Sequence, residues 1–263
     1  MKRLLTMLLA ALPLAAVADD QSDRAMREYR QTLQKSSPAE LFIVMGEELY
    51  HEKRGPKRVS LEACDFGLGP GVLKGAYAQL PRYFADTDKV EDLESRLASC
   101  MVRLQGVSPS EFPQFVFGNQ RMLPFQQLAA YIAAESNGLP LSAPMQHARE
   151  IEAVRLGEAL FYRRAGSHDF ACASCHTLQN KRIRLQHLTN LVDPAEAMQG
   201  VTTWPAYRPT VGDVQPLELW LSACLYQARY PQVRFASEAS IALQAFLAQH
   251  AKGGLIDVPG VKR

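Results

Sequence analysis

Beyond its N-terminal end, the sequence lacks any apolar run of the roughly 20 residues needed to cross a bilayer, so no membrane span is predicted. The N-terminal end differs. Lys2 and Arg3 precede an apolar run at Leu4–Ala15, and the small residue Ala18 follows. This pattern is typical of a secretory signal peptide. We predict that residues 1–18 are removed on export and that the mature protein is periplasmic.

An excess of charge of either sign is also missing. The chain has 29 basic and 27 acidic residues; Lys2 and Arg3 lie in the predicted signal peptide, which leaves 27 basic residues against 27 acidic ones. A nucleic-acid-binding domain is expected to carry a basic patch and a recognition motif, and neither is evident. We therefore predict no nucleic-acid partner.

Runs of alternating β-branched residues are scarce, whereas apolar residues recur at helical spacing in several segments. These segments are Leu93–Leu104, Leu123–Ser136, Leu217–Tyr226 and Ala239–Ala251. Two of them end near glycines, at Gly138 and Gly253, which are suitable helix stops. We predict a mostly α protein with helices joined by long loops.

The chain repeats itself after about 115 residues. Three blocks match in the same order: 46–65 with 157–176, 81–100 with 205–224, and 128–141 with 243–256. The first block, at an offset of 111, places Cys64 opposite Cys175. The second, at an offset of 124 without a gap, places Cys100 opposite Cys224. The repeat predicts two tandem domains.

The boundary between these domains is predicted near residues 138–144, which are rich in residues that end helices. The predicted domains are residues 19–140 and 141–263. All five cysteines of the chain lie within them. In an exported protein, cysteines are expected in disulfides or bound to a cofactor, and an odd number leaves at least one for another role.

The strongest chemical signal is the segment Cys172-Ala-Ser-Cys175-His176. In an exported protein, C-x-x-C-H marks covalent attachment of haem c, with two thioethers and the histidine as the proximal iron ligand. A structural zinc site usually shows a second pair of ligands at similar spacing, and none is present. We predict one covalent haem c in the second domain, held by Cys172, Cys175 and His176.

In the first copy, Leu61 stands where the motif would have its first cysteine, and Asp65 stands where it would have its histidine. This copy therefore lacks both a second thioether and a proximal ligand, and we predict no haem in the first domain. For Cys64 and Cys100, a mutual disulfide is the simplest fate in a secreted chain.

The distal iron ligand has more than one candidate. By the repeat, Cys224 is expected to face the iron opposite His176, and a thiolate there would be both a ligand and a nucleophile. Met198 would instead give the His/Met ligation of an ordinary electron carrier. His187 and His250 are weaker candidates, because the first is only eleven residues from His176 and the second aligns with Glu135. The histidines without a partner pattern are predicted at the surface: His51, His147 and His168.

These features resemble the SoxA family, the larger cytochrome c subunits of the SoxAX complexes of thiosulfate oxidation. The resemblance extends from about Gly46 to the C-terminal residues and includes the tandem repeat, the C-A-S-C-H segment, the segment Trp204–Tyr207 and the late cysteine Cys224. It implies two tandem cytochrome c-like domains. Some members of the family carry haem in both domains, and others carry it only in the second and have a disulfide in the first, as the Cys64 and Cys100 pair suggests here.

The resemblance further implies an L-cysteine S-thiosulfotransferase, which joins thiosulfate oxidatively to a cysteine of a sulfur carrier protein while electrons leave through haem. Cys224 matches the family's haem-ligating cysteine, often a persulfide, and would be both catalytic residue and metal ligand with His176. The implied partners are a small monohaem cytochrome c subunit of the SoxX kind, in a heterodimer, and the carrier protein with its reactive cysteine.

One departure from the family concerns the arginine expected four residues before the ligand cysteine. Trp220 stands at that position, and Arg96 stands at its equivalent in the first copy. The cations that could replace it are Arg208, Arg229 and Arg234. The alternative function is an electron carrier or interaction subunit without sulfur transfer, with Met198 or Cys224 as the distal ligand.

Overall fold

The computed structural model describes residues 37–112, 124–179, 181–183, 186–231 and 233–262, together with several positions between 21 and 35. The predicted signal peptide lies outside the described residues. The helices with described bounds are α1 (Ala39–His51), α2 (Leu93–Cys100), α3 (Phe125–Ala134), α4 (Ala148–Tyr162), α5 (Ala173–His176), α6 (Pro194–Val201), α7 (Leu217–Gln227) and α8 (Glu238–His250). The helix-rich prediction is confirmed, and α2, α3, α7 and α8 lie in the four segments with helical spacing.

Short strands accompany the helices, and the sequence patterns did not predict them. They are β1 (Arg82–Phe84), β2 (Lys89–Glu91), β3 (Arg182–Ile183), β4 (Gln186–His187), β5 (Ala206–Arg208), β6 (Asp213–Gln215) and β7 (Gly260–Val261). Strands β1 and β2 form an antiparallel hairpin, as do β3 with β4 and β5 with β6, while β7 pairs parallel with β5. Each strand has only two or three residues, too few for an alternating pattern to be recognised.

The repeat seen in the sequence recurs in the structure. Helix α1 packs on α3 in the first half, and α4 packs on α8 in the second. Both crossings occur at a matched glycine, because a Cβ at Gly46 would overlap the carbonyl of Gln127 and a Cβ at Gly157 would overlap the carbonyl of Ala242. The hairpins β1–β2 and β5–β6, each followed by a helix, occupy matched positions as well.

Helix α2 differs from the predicted segment at its C-terminal end. The α-helical turns stop at Cys100 and continue as a π-helical turn, Met101–Gln105. Gly106, with φ of 74°, ends this turn in the left-handed region that glycine adopts readily.

Two large apolar cores and a smaller cluster of Ala39, Ala130 and Val214 lie beneath these elements. The first contains buried residues of the first half together with Leu219, Ile256 and Val258 from the second half. The second is built around Phe161 and Phe246. The first core therefore crosses the predicted boundary, and the two halves share buried surface.

Three buried carboxyl groups also meet where the halves join. The carboxylate oxygens of Asp92, Glu94 and Glu218 lie within 4.8 Å of one another. Asp92 caps α2 by accepting from the Ser95 amide and also accepts from the side chain of Gln244. Burial, and then the charge of Asp92, raises the pKa of Glu94 well above its ordinary value. Glu218 is shifted in the same direction, again chiefly by burial.

These raised pKa values predict a pH-dependent stability. A carboxyl group whose pKa is higher in the folded state favours folding when protonated, so stability is lost as pH rises from about 4.5 towards the folded pKa. Glu94→Gln is neutral at every pH and is expected to raise the free energy of unfolding above pH 7 by on the order of 1–3 kcal/mol. Denaturant unfolding measured from pH 4 to pH 8 tests this. The gain should shrink towards pH 4, and a gain independent of pH would contradict the account.

Candidate functional site

The segment with C-x-x-C-H forms the short helix α5 and the turn before it. Cys172 immediately precedes the helix, and its carbonyl accepts hydrogen bonds from the amides of Cys175, at 3.1 Å, and His176, at 2.9 Å. One helical turn therefore separates the two cysteines. Both thiols are free and half-buried. This is the arrangement that two thioether bonds to one edge of a macrocycle require.

The ring of His176 is oriented by a backbone group. Its Nδ1 lies 2.8 Å from the carbonyl oxygen of Thr189, so the protonated Nδ1 donates and Nε2 keeps its lone pair. Burial lowers the pKa of His176, which favours the neutral ring. A neutral imidazole whose other nitrogen donates to a carbonyl is the usual form of a metal-ligating histidine. No sequence pattern indicated Thr189.

Cys224 lies on α7, and Leu221 of the same helix packs against the second core, as Cys172 does. Burial raises the pKa of its thiol to about 12, and the charges of Cys172 and Cys175 contribute to that shift, while Arg208 opposes it. The predicted position of Cys224 opposite His176 stays a prediction. Its thiol is free, unlike that of its counterpart Cys100.

Arg208, at the end of β5, is the buried cation of this region. Its guanidinium carbon lies 3.9 Å from the centroid of the Trp220 ring, and Trp220 stacks in turn with Trp204 at 5.9 Å. The side chain is 8% exposed, and its Nε and Nη1 atoms are buried and make no hydrogen bond with the described residues. Burial lowers the pKa of Arg208 to about 10, against the opposing influence of Cys224. Arg229 and Arg234 are exposed.

The other candidate ligands have different surroundings. Met198, on α6, packs its side chain against the backbone of the Gly253–Gly254 turn. His187 is exposed on β4, and His250, at the end of α8, contacts the ring of Phe246. The three histidines expected at the surface are exposed: His51, His147 and His168.

In the first half, the matched positions serve structural contacts. Cys64 and Cys100 form the predicted disulfide, with their Cα atoms 5.7 Å apart. Leu61 is 1% exposed and belongs to the first core. The carboxylate of Asp65 accepts hydrogen bonds from the amides of Gly67 and Gly69.

Comparison with known proteins identifies cytochrome c relatives of this chain. The model of the SoxA/TsdA cytochrome c domain matches residues 45–141, within the first half. The L-cysteine S-thiosulfotransferase subunit SoxA of Hydrogenophilus thermoluteolus is 43% identical over 97% of this chain and 94% of its own length. A SoxA subunit of Hydrogenobacter thermophilus is 34% identical over 86% of this chain and 82% of its own. A chain in a crystal structure of SoxXA from P. pantotrophus has the same fold, with a TM-score of 0.73 over 90% of this chain and 84% of that chain at 19% identity.

The helix-rich fold, the C-x-x-C-H helix and the matching domain model define a c-type cytochrome, which binds haem c covalently. The 43% identity to the SoxA subunit of Hydrogenophilus thermoluteolus, over nearly the whole chain, identifies the family more specifically. This chain belongs to the SoxA family. In its described part, no helix combines the length and the apolar character that a membrane span requires.

Proposed function

We propose that this protein is the SoxA-type subunit of a periplasmic L-cysteine S-thiosulfotransferase, which joins thiosulfate or a related sulfur anion to a cysteine of a sulfur carrier protein. The observation that carries the proposal is the free thiol of Cys224 on α7, a helix whose Leu221 packs against the same core as Cys172. The SoxA subunits of Hydrogenophilus and Hydrogenobacter, which this chain resembles over most of its length, support the reaction class.

The residues of the second half fit haem c. Two free thiols one helical turn apart can form both thioethers, and His176 offers Nε2 because Thr189 fixes its Nδ1. Cys172 and Cys175 would attach the haem, and His176 and Cys224 would ligate its iron. A nitrogen and sulfur donor set of this kind is an established haem ligation.

The conjugation is an oxidation. A sulfur–sulfur bond forms between the carrier thiol and the terminal sulfur of thiosulfate, so that RSH and S₂O₃²⁻ give RS–S–SO₃⁻, one proton and two electrons. Haem c, when bound, accepts electrons one at a time. The second electron therefore needs another acceptor, and we assign it to the haem of a small monohaem cytochrome c subunit in a heterodimer with this chain.

In this scheme Cys224 handles the sulfur. A thiolate is a nucleophile and can carry a second sulfur atom, which a methionine ligand cannot do. Cys224 can therefore hold the sulfane sulfur of the substrate next to the electron acceptor. His176 stays neutral and oriented through its bond to Thr189.

The first half is proposed as a haem-free cytochrome c-like domain, residues 19–140, followed by the haem domain, residues 141–263. The disulfide of the first half joins the counterparts of Cys175 and Cys224. With their Cα atoms only 5.7 Å apart, a macrocycle would not fit between them. A disulfide that joins these two positions directly supports the proposal that the first half is a retained cytochrome c-like domain that has lost its haem.

The function is tested by incubating the haem-loaded protein and its monohaem partner with thiosulfate, an electron acceptor and a carrier protein. Mass spectrometry should show one thiosulfate added to the carrier cysteine, with two electrons transferred per adduct. A carrier whose cysteine is replaced by serine is the control. Reduction of the haem by a redox partner without any adduct would overturn the proposal in favour of an electron carrier.

A further inference from the structure

In each half an arginine lies over an aromatic ring, but the strand and the helix that carry the two residues are exchanged between the halves. In the first half, Arg96 of α2 lies over the ring of Phe84 of β1, with its guanidinium carbon 3.9 Å from the centroid. In the second half, Arg208 of β5 lies over the ring of Trp220 of α7 at the same distance. The offset of 124 matches Phe84 with Arg208 and Arg96 with Trp220. The cation and the aromatic ring have therefore exchanged elements, while the contact between the hairpin and the helix is kept.

The surroundings of the two arginines differ in charge. Arg96 is neutralised, because its Nη1 lies 2.9 Å from a carboxylate oxygen of Asp86 and 3.1 Å from one of Glu91. At the matched positions of the second half the residues are Thr210 and Gln215, and neither carries a charge. Both acidic partners of Arg96 are thus replaced by uncharged residues, and Asp213, which is paired with Arg208 in the β5–β6 register, makes no hydrogen bond with its Nε or Nη1.

Arg208 is in consequence a buried cation with unused donors. Its Nε and Nη1 atoms are buried and make no hydrogen bond within the described part of the chain. Burying a guanidinium without hydrogen-bond acceptors is costly, and a bound ligand that supplied those acceptors would offset this cost. Stacking on Trp220 holds the planar group in place and leaves its edge available for two parallel hydrogen bonds to one oxyanion.

The position of Arg208 indicates which anion it would bind. Arg208 lies over the ring of Trp220, and Trp220 and Cys224 are four residues apart on α7, so the guanidinium lies on the face of the helix that carries the thiol. A ligand that spans the two needs a soft sulfur at one end and an oxyanion at the other. A sulfur oxyanion with a terminal sulfane sulfur, the thiosulfate class, has both ends.

We propose that Arg208 is the substrate-anchoring residue, whose guanidinium binds the sulfonate end of a thiosulfate-class dianion while the terminal sulfur lies at Cys224. Trp220 is the positioning residue that holds the guanidinium. This inference rests on the proposed function of Cys224. It assigns the anion specificity of the site to a strand residue on β5.

The test compares Arg208→Gln and Arg208→Lys in the haem-loaded heterodimer, with the exposed Arg234→Gln as the matched control. Loss of a charge-assisted hydrogen-bond pair is expected to raise the KM for thiosulfate roughly 10–100-fold in Arg208→Gln, with a smaller effect on kcat. Arg208→Lys keeps the positive charge but cannot form two parallel hydrogen bonds, so its KM should fall between those of Arg208→Gln and the wild type. Arg234→Gln should match the wild type.

A double variant, Arg208→Phe with Trp220→Arg, recreates the arrangement of the first half. It is expected to lower the KM again relative to Arg208→Gln, because the cation returns to the same contact from the helix. A KM for Arg208→Gln within twofold of the wild-type value would overturn the proposal.

Equilibrium binding of thiosulfate, measured by the change in the electron paramagnetic resonance spectrum of the ferric protein, separates this proposal from the proposed function. Weaker binding by Arg208→Gln than by the wild type would support the anion site even if the wild type formed no carrier adduct, a result that would overturn only the conjugation. Equal binding by both proteins would overturn the anion site alone.

Discussion

Cys224→Ala is expected to lower the rate of carrier conjugation by on the order of 10³-fold or more while the protein keeps its full content of covalent haem. The activity falls because the alanine removes the free thiol that we assign to sulfur transfer. The haem stays because the residues assigned to its attachment, including His176, are unchanged. Conjugation kinetics and a haem determination on the same preparation measure the two effects. Gln227→Ala, at an exposed position of the same helix, is the control and should match the wild type.

Cys224→Met sharpens this prediction. Methionine can occupy a distal position and would give the ligation of an electron carrier, but it cannot carry a second sulfur. The variant should therefore exchange electrons with a redox partner and form no adduct. Full conjugation activity in Cys224→Met would contradict the catalytic assignment of Cys224.

Removal of the disulfide by Cys64→Ala with Cys100→Ala is expected to lower the free energy of unfolding by about 3–4 kcal/mol, the chain-entropy value for a loop of this length. Both residues are buried in the first core, so a smaller cavity effect adds to the loss. Denaturant unfolding measures the change. Chemical reduction of the wild-type protein is the matched control, because it removes the bond without changing side-chain volume.

The same double variant should retain covalent haem, since the haem is assigned to the second half. An unfolding midpoint equal to that of the oxidised wild type would contradict a structural role for the disulfide. Loss of the haem on removal of the disulfide would contradict the proposal that the second half holds the haem while the disulfide stabilises the first half.

The chemistry of the site was largely predictable from local patterns. Cys172, Cys175 and His176 are adjacent in sequence, so one motif is enough to predict their geometry. The repeat matches Cys224 with Cys100, and from this match we predict that Cys224 faces the same side of the second half as the motif. The disulfide between Cys64 and Cys100 followed from the export signal and the missing motif.

Contacts between distant segments were not predictable in this way. Thr189 fixes His176 through a backbone carbonyl, which every residue type possesses, so no side-chain pattern indicates it. The role of Arg208 depends on burial and on the acidic partners it lacks, neither of which a motif reveals. The hint was in the alignment of the two halves, where arginine and an aromatic residue change places between β5 and α7.

The shared interior of the two halves was also not evident from the repeat. Glu94 and Glu218 occupy matched positions, and each would pass for a solvent-exposed residue on the first turn of a helix. In the structure both are buried beside Asp92, because the two helix starts face each other across the junction. A contact between two copies of the same position needs three-dimensional information.

The central claim, that Cys224 ligates the iron opposite His176, is tested most directly by electron paramagnetic resonance of the oxidised, haem-loaded protein beside Cys224→Ala. The account predicts a low-spin signal typical of thiolate ligation in the wild type and its disappearance in the variant. An identical spectrum for both proteins would place Cys224 away from the iron. The distal position would then pass to another residue, with Met198 the first to be substituted, and the sulfur-transfer function would be contradicted.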